Sequence, residues 1–86
     1  MARQELTVTV RLFSVARDIA GCDMKKLRVP EGSSADVILR ELAKTYPRLD
    51  AWVSSIRLAV NEEYVSNEHT LCDGDDVAVI PPVSGG

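Results

Sequence analysis

Leu6-Thr7-Val8-Thr9-Val10-Arg11-Leu12 alternates apolar with polar side chains along its whole length, the period of two that belongs to a half-buried β-strand. One face of that strand is core and the other is not. If Leu6, Val8, Val10 and Leu12 point inward, the pleat sends Phe13 to the opposite face. Ser14 to Ala20 reads as a short helical turn, and Gly21 ends it where a positive φ is required. Met24-Lys25-Lys26-Leu27-Arg28-Val29 is a second, weaker strand stopped by Pro30-Glu31-Gly32. Two such strands joined by a loop predict a hairpin.

Ser33 and Asp36 stand at the S-x-x-D spacing of a capping box, in which Ser33 accepts from a free helix amide while Asp36 reaches back. The main helix is therefore expected to start there. Ile38, Leu42 and Tyr46 recur at i+4 beside Ala35, Val37 and Leu39, so one wide face packs on the sheet while Arg40, Glu41 and Lys44 meet water. Pro47 ends the helix by restricting Tyr46. Arg48 to Ser55 carries Trp52 and Val53 and reads as a packed loop or a second short helix. Ile56, Leu58 and Val60 alternate in a third strand, Asn61-Glu62-Glu63 has turn character, and Tyr64-Val65 begins a fourth strand. Leu71-Cys72-Asp73-Gly74-Asp75 is a turn, and Val77 to Ile80 forms the last strand. Strands on both sides of one main amphipathic helix imply an α+β domain, with helices on one face of a mixed sheet of about five strands. Residues 1–80 form this body and residues 81–86 an extended, flexible C-terminal tail.

With 86 residues the chain holds one small core, below the usual domain size and above what needs staples to fold. Its 45% apolar and 27% charged residues describe a globular chain, not a disordered one. A net charge of -3 with scattered basic residues argues against a nucleic-acid surface. No apolar run reaches the ~18 residues of a membrane span, and Met-Ala-Arg-Gln-Glu is too polar for a secretory leader, so a cytoplasmic location is expected. Cys22 and Cys72 form no C-x-x-C pair and read as free thiols. His69, between Glu68 and Thr70, reads as solvated surface. Asp73, Asp75 and Asp76 lack the spaced ligands and distal Glu of an EF-hand, so no metal site is expected.

Pro81-Pro82-Val83-Ser84-Gly85-Gly86 is the most specific segment for function. At average usage, two prolines and two glycines at these fixed places occur by chance in about one chain in 10⁵. The prolines lock φ and keep the segment extended. Gly85 and Gly86, without Cβ atoms, make a thread thin enough for a narrow cleft. From Pro81 to Gly86 such a thread reaches roughly 20 Å and delivers one reactive group, the carboxylate of Gly86. Nearer the body, Phe13, Tyr64 and Ile80 fall on the helix-free face of the sheet, where merged apolar side chains mark a partner surface; alternatively Phe13 and Ile80 close the edges of the core.

Val10-Arg11-Leu12-Phe13 with Ala16-Arg17-Asp18, then Ala59-Val60-Asn61 and Val65, then Asp73-Gly74-Asp75-Asp76-Val77-Ala78 and the Pro-Pro-Val-Ser-Gly-Gly ending, together resemble the small subunit of molybdopterin synthase. The resemblance spans nearly the whole chain and implies a ubiquitin-like β-grasp fold, the last strand beside the first in the sheet centre. It implies a sulfur carrier of molybdenum cofactor synthesis whose Gly86 is adenylated, then thiocarboxylated, and donates sulfur to cyclic pyranopterin monophosphate. It implies three partners: the large synthase subunit, an adenylyltransferase of the ubiquitin-activating type, and a sulfurtransferase. It also implies a non-catalytic subunit working in a heterotetramer, with Phe13, Arg17, Tyr64 and Ile80 at the partner surface and Pro81 to Gly85 in the tunnel. The chain has no G-x-x-x-x-G-K-[ST] loop for ATP, so no cofactor is bound directly and the activating partner uses the nucleotide. Tyr64 stands where the family more often has an aliphatic residue, and Ile80 where an aromatic is common. A ubiquitin-like modifier conjugated through Gly86 and a thiamine-thiazole sulfur carrier share the same features and remain alternatives.

Overall fold

The computed structural model describes residues 4–82. Strand β1 (Glu5–Leu12) alternates exposed with buried positions, and Leu6, Val8, Val10 and Leu12 all turn inward. Helix α1 (Ser14–Ala20) follows at once and ends at Gly21, whose φ of 77° returns its N–H to the Arg17 carbonyl. A Cβ in that left-handed conformation crowds the backbone, which explains the glycine. Strand β2 (Met24–Pro30) runs antiparallel to β1, with Leu6 opposite Val29 and Arg11 opposite Met24. The expected hairpin is present, with α1 in its connection.

Helix α2 (Asp36–Thr45) begins two residues later than the capping box predicts, and no side chain caps it. The Ser33 hydroxyl instead donates to the Pro30 carbonyl at 2.6 Å, and the Asp36 carboxylate accepts from Arg40 Nε at 2.9 Å. The free amides at the start of a helix must still find acceptors. Here a distant loop supplies them: Ala35 N–H donates to the His69 carbonyl at 2.8 Å and Asp36 N–H to the Asn67 carbonyl at 3.0 Å. Local spacing could not reveal that. Further along α2, Ile38, Leu39 and Leu42 are buried as the periodicity requires. The stretch after Tyr46 is two 3-10 turns, Pro47–Ala51 and Val53–Ser55, which bury Leu49.

Strands β3 (Arg57–Val60) and β4 (Glu63–Val65) form a tight hairpin. Its two loop residues, Asn61 and Glu62, have φ of 52° and 74°, the pair of positive values that a type I′ turn needs to match strand twist. The last strand, β5 (Asp76–Ile80), lies parallel to β1 and antiparallel to β3, giving the order β2-β1-β5-β3-β4. This mixed five-stranded sheet, with its last strand at the centre, is the ubiquitin-like β-grasp arrangement.

The core lies between the sheet and α2. Val8, Val10, Ile38, Val77 and Val79 have no exposed surface, each contributing about 1.5–3 kcal/mol on leaving water. The acidic segment before β5 is a turn, as expected, and it is tied to β1 and to the β3–β4 hairpin. Thr7 N–H donates to Asp73 Oδ1 at 2.8 Å, while Gly74 N–H donates to the Thr7 carbonyl at 2.8 Å. The buried Asp75 carboxylate accepts from Asn61 Nδ2 at 3.0 Å and from Cys72 N–H at 2.8 Å. These bonds fix where β5 enters the sheet and hence where it leaves.

Candidate functional site

Register decides what shares the helix-free face. Arg11 sits opposite both Met24 and Ala78, Ala78 opposite Ala59, and Ala59 opposite Tyr64. One row therefore crosses all five strands from Met24 to Tyr64, a span of roughly 19 Å at ~4.8 Å per strand. In the adjacent row Ile80 lies opposite Arg57. Leu12 pairs with Val79, so Phe13, just past the end of β1, and Ile80, the last residue of β5, come next.

Phe13 and Tyr64 are 46% and 62% exposed, which removes Phe13 from the core and leaves it as surface. Ile80 is half-buried on the same face. The alternative in which Phe13 and Ile80 merely close the core edges does not hold for Phe13. Ala59, buried beneath its neighbours, belongs to this face and not to the core cluster, so the small Ala59 and Ala78 floor a trough between larger side chains. Tyr64 and Ile80 thus lie on one face of the sheet, with the exposed Phe13 at the end of β1, three strands from Tyr64.

Two of the arginines around the trough are held by neighbouring side chains. Arg11 Nε donates to both carboxylate oxygens of Asp76, at 2.9 and 2.8 Å. The Arg57 guanidinium stands 4.6 Å from the Tyr64 ring centroid, within range of a cation–π contact. Arg17, on α1, is largely exposed and only 3.9 Å from the Asp18 carboxylate. It joins Arg11, Leu12, Phe13, Asp23 and Met24 around a cleft of about 220 Å³ at the rim of the face. Pro81 is buried and Pro82 exposed at the end of β5. Val83, Ser84, Gly85 and Gly86 lie outside the described residues.

The model of the ThiS family matches residues 10–86, a span that takes in both the face and the Gly-Gly ending. The chain belongs to the ThiS family. It is 38% identical over 79 residues to the molybdopterin synthase sulfur carrier subunit of Arabidopsis thaliana, covering 92% of this chain and 82% of that one. The solution structure of small archaeal modifier protein 1 from Methanosarcina acetivorans superposes with a TM-score of 0.79 at 27% identity, covering 96% of this chain and 99% of that one. A protein-protein complex of subunits 1 and 2 of the molybdopterin-converting factor from Helicobacter pylori contains a chain of the same fold, with a TM-score of 0.62 at 24% identity, covering 94% and 100%.

In this ThiS-family chain, sequence reasoning missed Met24, Arg57 and Arg11 as parts of the face. The signal for Met24 was available: Leu27 and Val29 turn inward, so a period of two sends Met24 outward. The Arg57 stacking and the Arg11–Asp76 pair needed the strand order. Cys22 is half-buried and Cys72 exposed, both as free thiols. Among the described residues no His, Cys, Asp or Glu cluster could hold a metal ion, and no helix is long and apolar enough to cross a membrane.

Proposed function

We propose that this chain is the sulfur carrier of a molybdopterin synthase, with the Gly86 carboxylate as the group that is charged and discharged. The observation that carries the reading is the family match through residue 86, ending in Pro-Pro-Val-Ser-Gly-Gly. A carboxylate is a poor acyl donor because its charge is delocalised and its leaving group would be oxide. Activation must come first, and an adenylyltransferase of the ubiquitin-activating type uses ATP to form the Gly86 acyl-adenylate with release of pyrophosphate. Sulfur delivered at the sulfide level by a sulfurtransferase system, its persulfide reduced by a thiol, then attacks the acyl carbon, expels AMP and leaves a thiocarboxylate. The face of Phe13, Tyr64 and Ile80, with Arg17 at its rim, docks the large synthase subunit. Pro81, Pro82, Val83, Ser84 and Gly85 thread the terminus toward the pterin substrate. Two carriers acting in turn deliver the two sulfurs that convert cyclic pyranopterin monophosphate into the dithiolene. The complex of subunits 1 and 2 of the molybdopterin-converting factor from Helicobacter pylori, one chain of which shares this fold, supports the docking role.

Intact-mass spectrometry of the protein co-expressed with its activating enzymes tests the reading. One oxygen of Gly86 is replaced by sulfur; an unchanged mass under conditions that charge a known carrier overturns it. The likeness to a small archaeal modifier protein favours one second reading, in which lysine amines capture the same acyl-adenylate. Isopeptides between Gly86 and lysines in a proteomic digest would identify it.

A further inference from the structure

Among the described residues the outer edge of β2 has no strand beside it, and it borders the open face just described. β2 is the outermost strand of the sheet. At its two ends Leu12 N–H donates to the Asp23 carbonyl and Glu31 N–H to the Gln4 carbonyl. In an antiparallel ladder, bonded and non-bonded residues alternate, so Lys25, Leu27 and Val29 spend their backbone groups on β1. The N–H and C=O groups of Met24, Lys26 and Arg28 therefore point outward, away from the sheet. Their side chains share the open face with Arg11, Thr9 and Thr7, their register partners. Lys26 makes no ion pair among the described residues, and Arg28 has only a loose contact of 3.5 Å with Glu5. On the other face lies the half-buried, aliphatic Leu27.

We propose that this edge accepts an extended acidic segment of a partner protein as a sixth strand. An added strand takes its affinity from main-chain bonds and its specificity from alternate side chains. Here that specificity is readable: carboxylates beside Lys26 and Arg28 on one face, and aliphatic side chains beside Leu27 on the other. A second copy of this chain is the wrong occupant. Antiparallel pairing of two β2 edges sets Lys26 against Arg28, and like charges directly opposite are destabilising. The cations thus block self-pairing and invite an acidic strand.

The probe is a nine-residue, end-blocked peptide alternating glutamate with valine, added to the full chain and followed by amide hydrogen exchange. Exchange at Met24, Lys26 and Arg28 slows about tenfold or more as their amides become bonded, while Lys25, Leu27 and Val29 change little. Lys26→Pro deletes one outward N–H that only the added strand uses, so the fold persists and peptide protection is lost. The double variant Lys26→Glu with Arg28→Glu keeps the backbone, loses the glutamate peptide and binds a lysine-valine peptide instead; it decides the matter if the proline variant does not fold. Four outcomes overturn the proposal: no protection at millimolar peptide, protection indifferent to both variants, protection that tracks dimer formation, or equal binding of a single-stranded oligonucleotide.

Discussion

Asn61 and Glu62 share one turn and one backbone region, yet their substitutions have opposite signs. Both hold positive φ, at 52° and 74°, but only Asn61 is repaid by side-chain bonds. Its Nδ2 donates to Asp75 Oδ1 at 3.0 Å, and its Oδ1 accepts from Asp76 N–H at 3.1 Å. Glu62 has no such compensation. Glu62→Gly removes left-handed strain of about 1 kcal/mol and should raise the melting temperature by roughly 4–8 °C in a domain of this size. Asn61→Ala leaves the buried Asp75 carboxylate short of a donor and should cost about 1–3 kcal/mol, read as a lower midpoint in urea with an unchanged slope. The sequence marks this dipeptide as a turn without saying that one residue is tied to the entry of β5.

At the scale of elements, the sheet has two faces with different obligations. The face toward α2 is closed. Leu42, 1% exposed on α2, should cost about 2–5 kcal/mol when changed to Ala, measurable by chemical unfolding of the isolated chain. The opposite face carries Phe13 with 46% of its surface free. Phe13→Asp should therefore leave the melting temperature nearly unchanged while weakening binding to the large synthase subunit by about 30-fold or more, the scale of an interface hot spot. A calorimetric titration and a melting curve on the same sample separate the two effects. A fall in stability without a change in affinity would return Phe13 to a structural role.

For the whole molecule, the core closes with residues from Leu6 on β1 to Val79 on β5, and Gly86 lies seven residues beyond it. Deleting Gly86 should leave the unfolding midpoint within error of the parent while abolishing molybdoenzyme maturation in cells that lack any other carrier. Retained maturation would remove the terminal carboxylate from the chemistry. The fold confers on such a terminus a fixed starting point: β5 is held between β1 and β3, and the Asp73 to Asp76 turn bonded to Thr7 and Asn61 sets its register.

Much of this was legible beforehand because it follows from short-range geometry. The alternation in Leu6 to Leu12, the helical spacing of Ile38 and Leu42, the stop at Gly21 and the halting prolines after Ile80 act within a few residues of themselves, and each appears where its period puts it. From the chain alone also came the apolar set Phe13, Tyr64 and Ile80 and the glycine ending that signals the family. What failed was the capping box at Ser33, since the acceptors for the first amides of α2 come from Asn67 and His69, more than thirty residues away. Tertiary structure alone decided that Arg57 stacks on Tyr64, that Arg11 grips Asp76, and that β2 keeps an edge unpaired among the described residues. Those outcomes depend on which strands become neighbours, and neighbours are chosen by burying the whole core at once rather than by any local pattern.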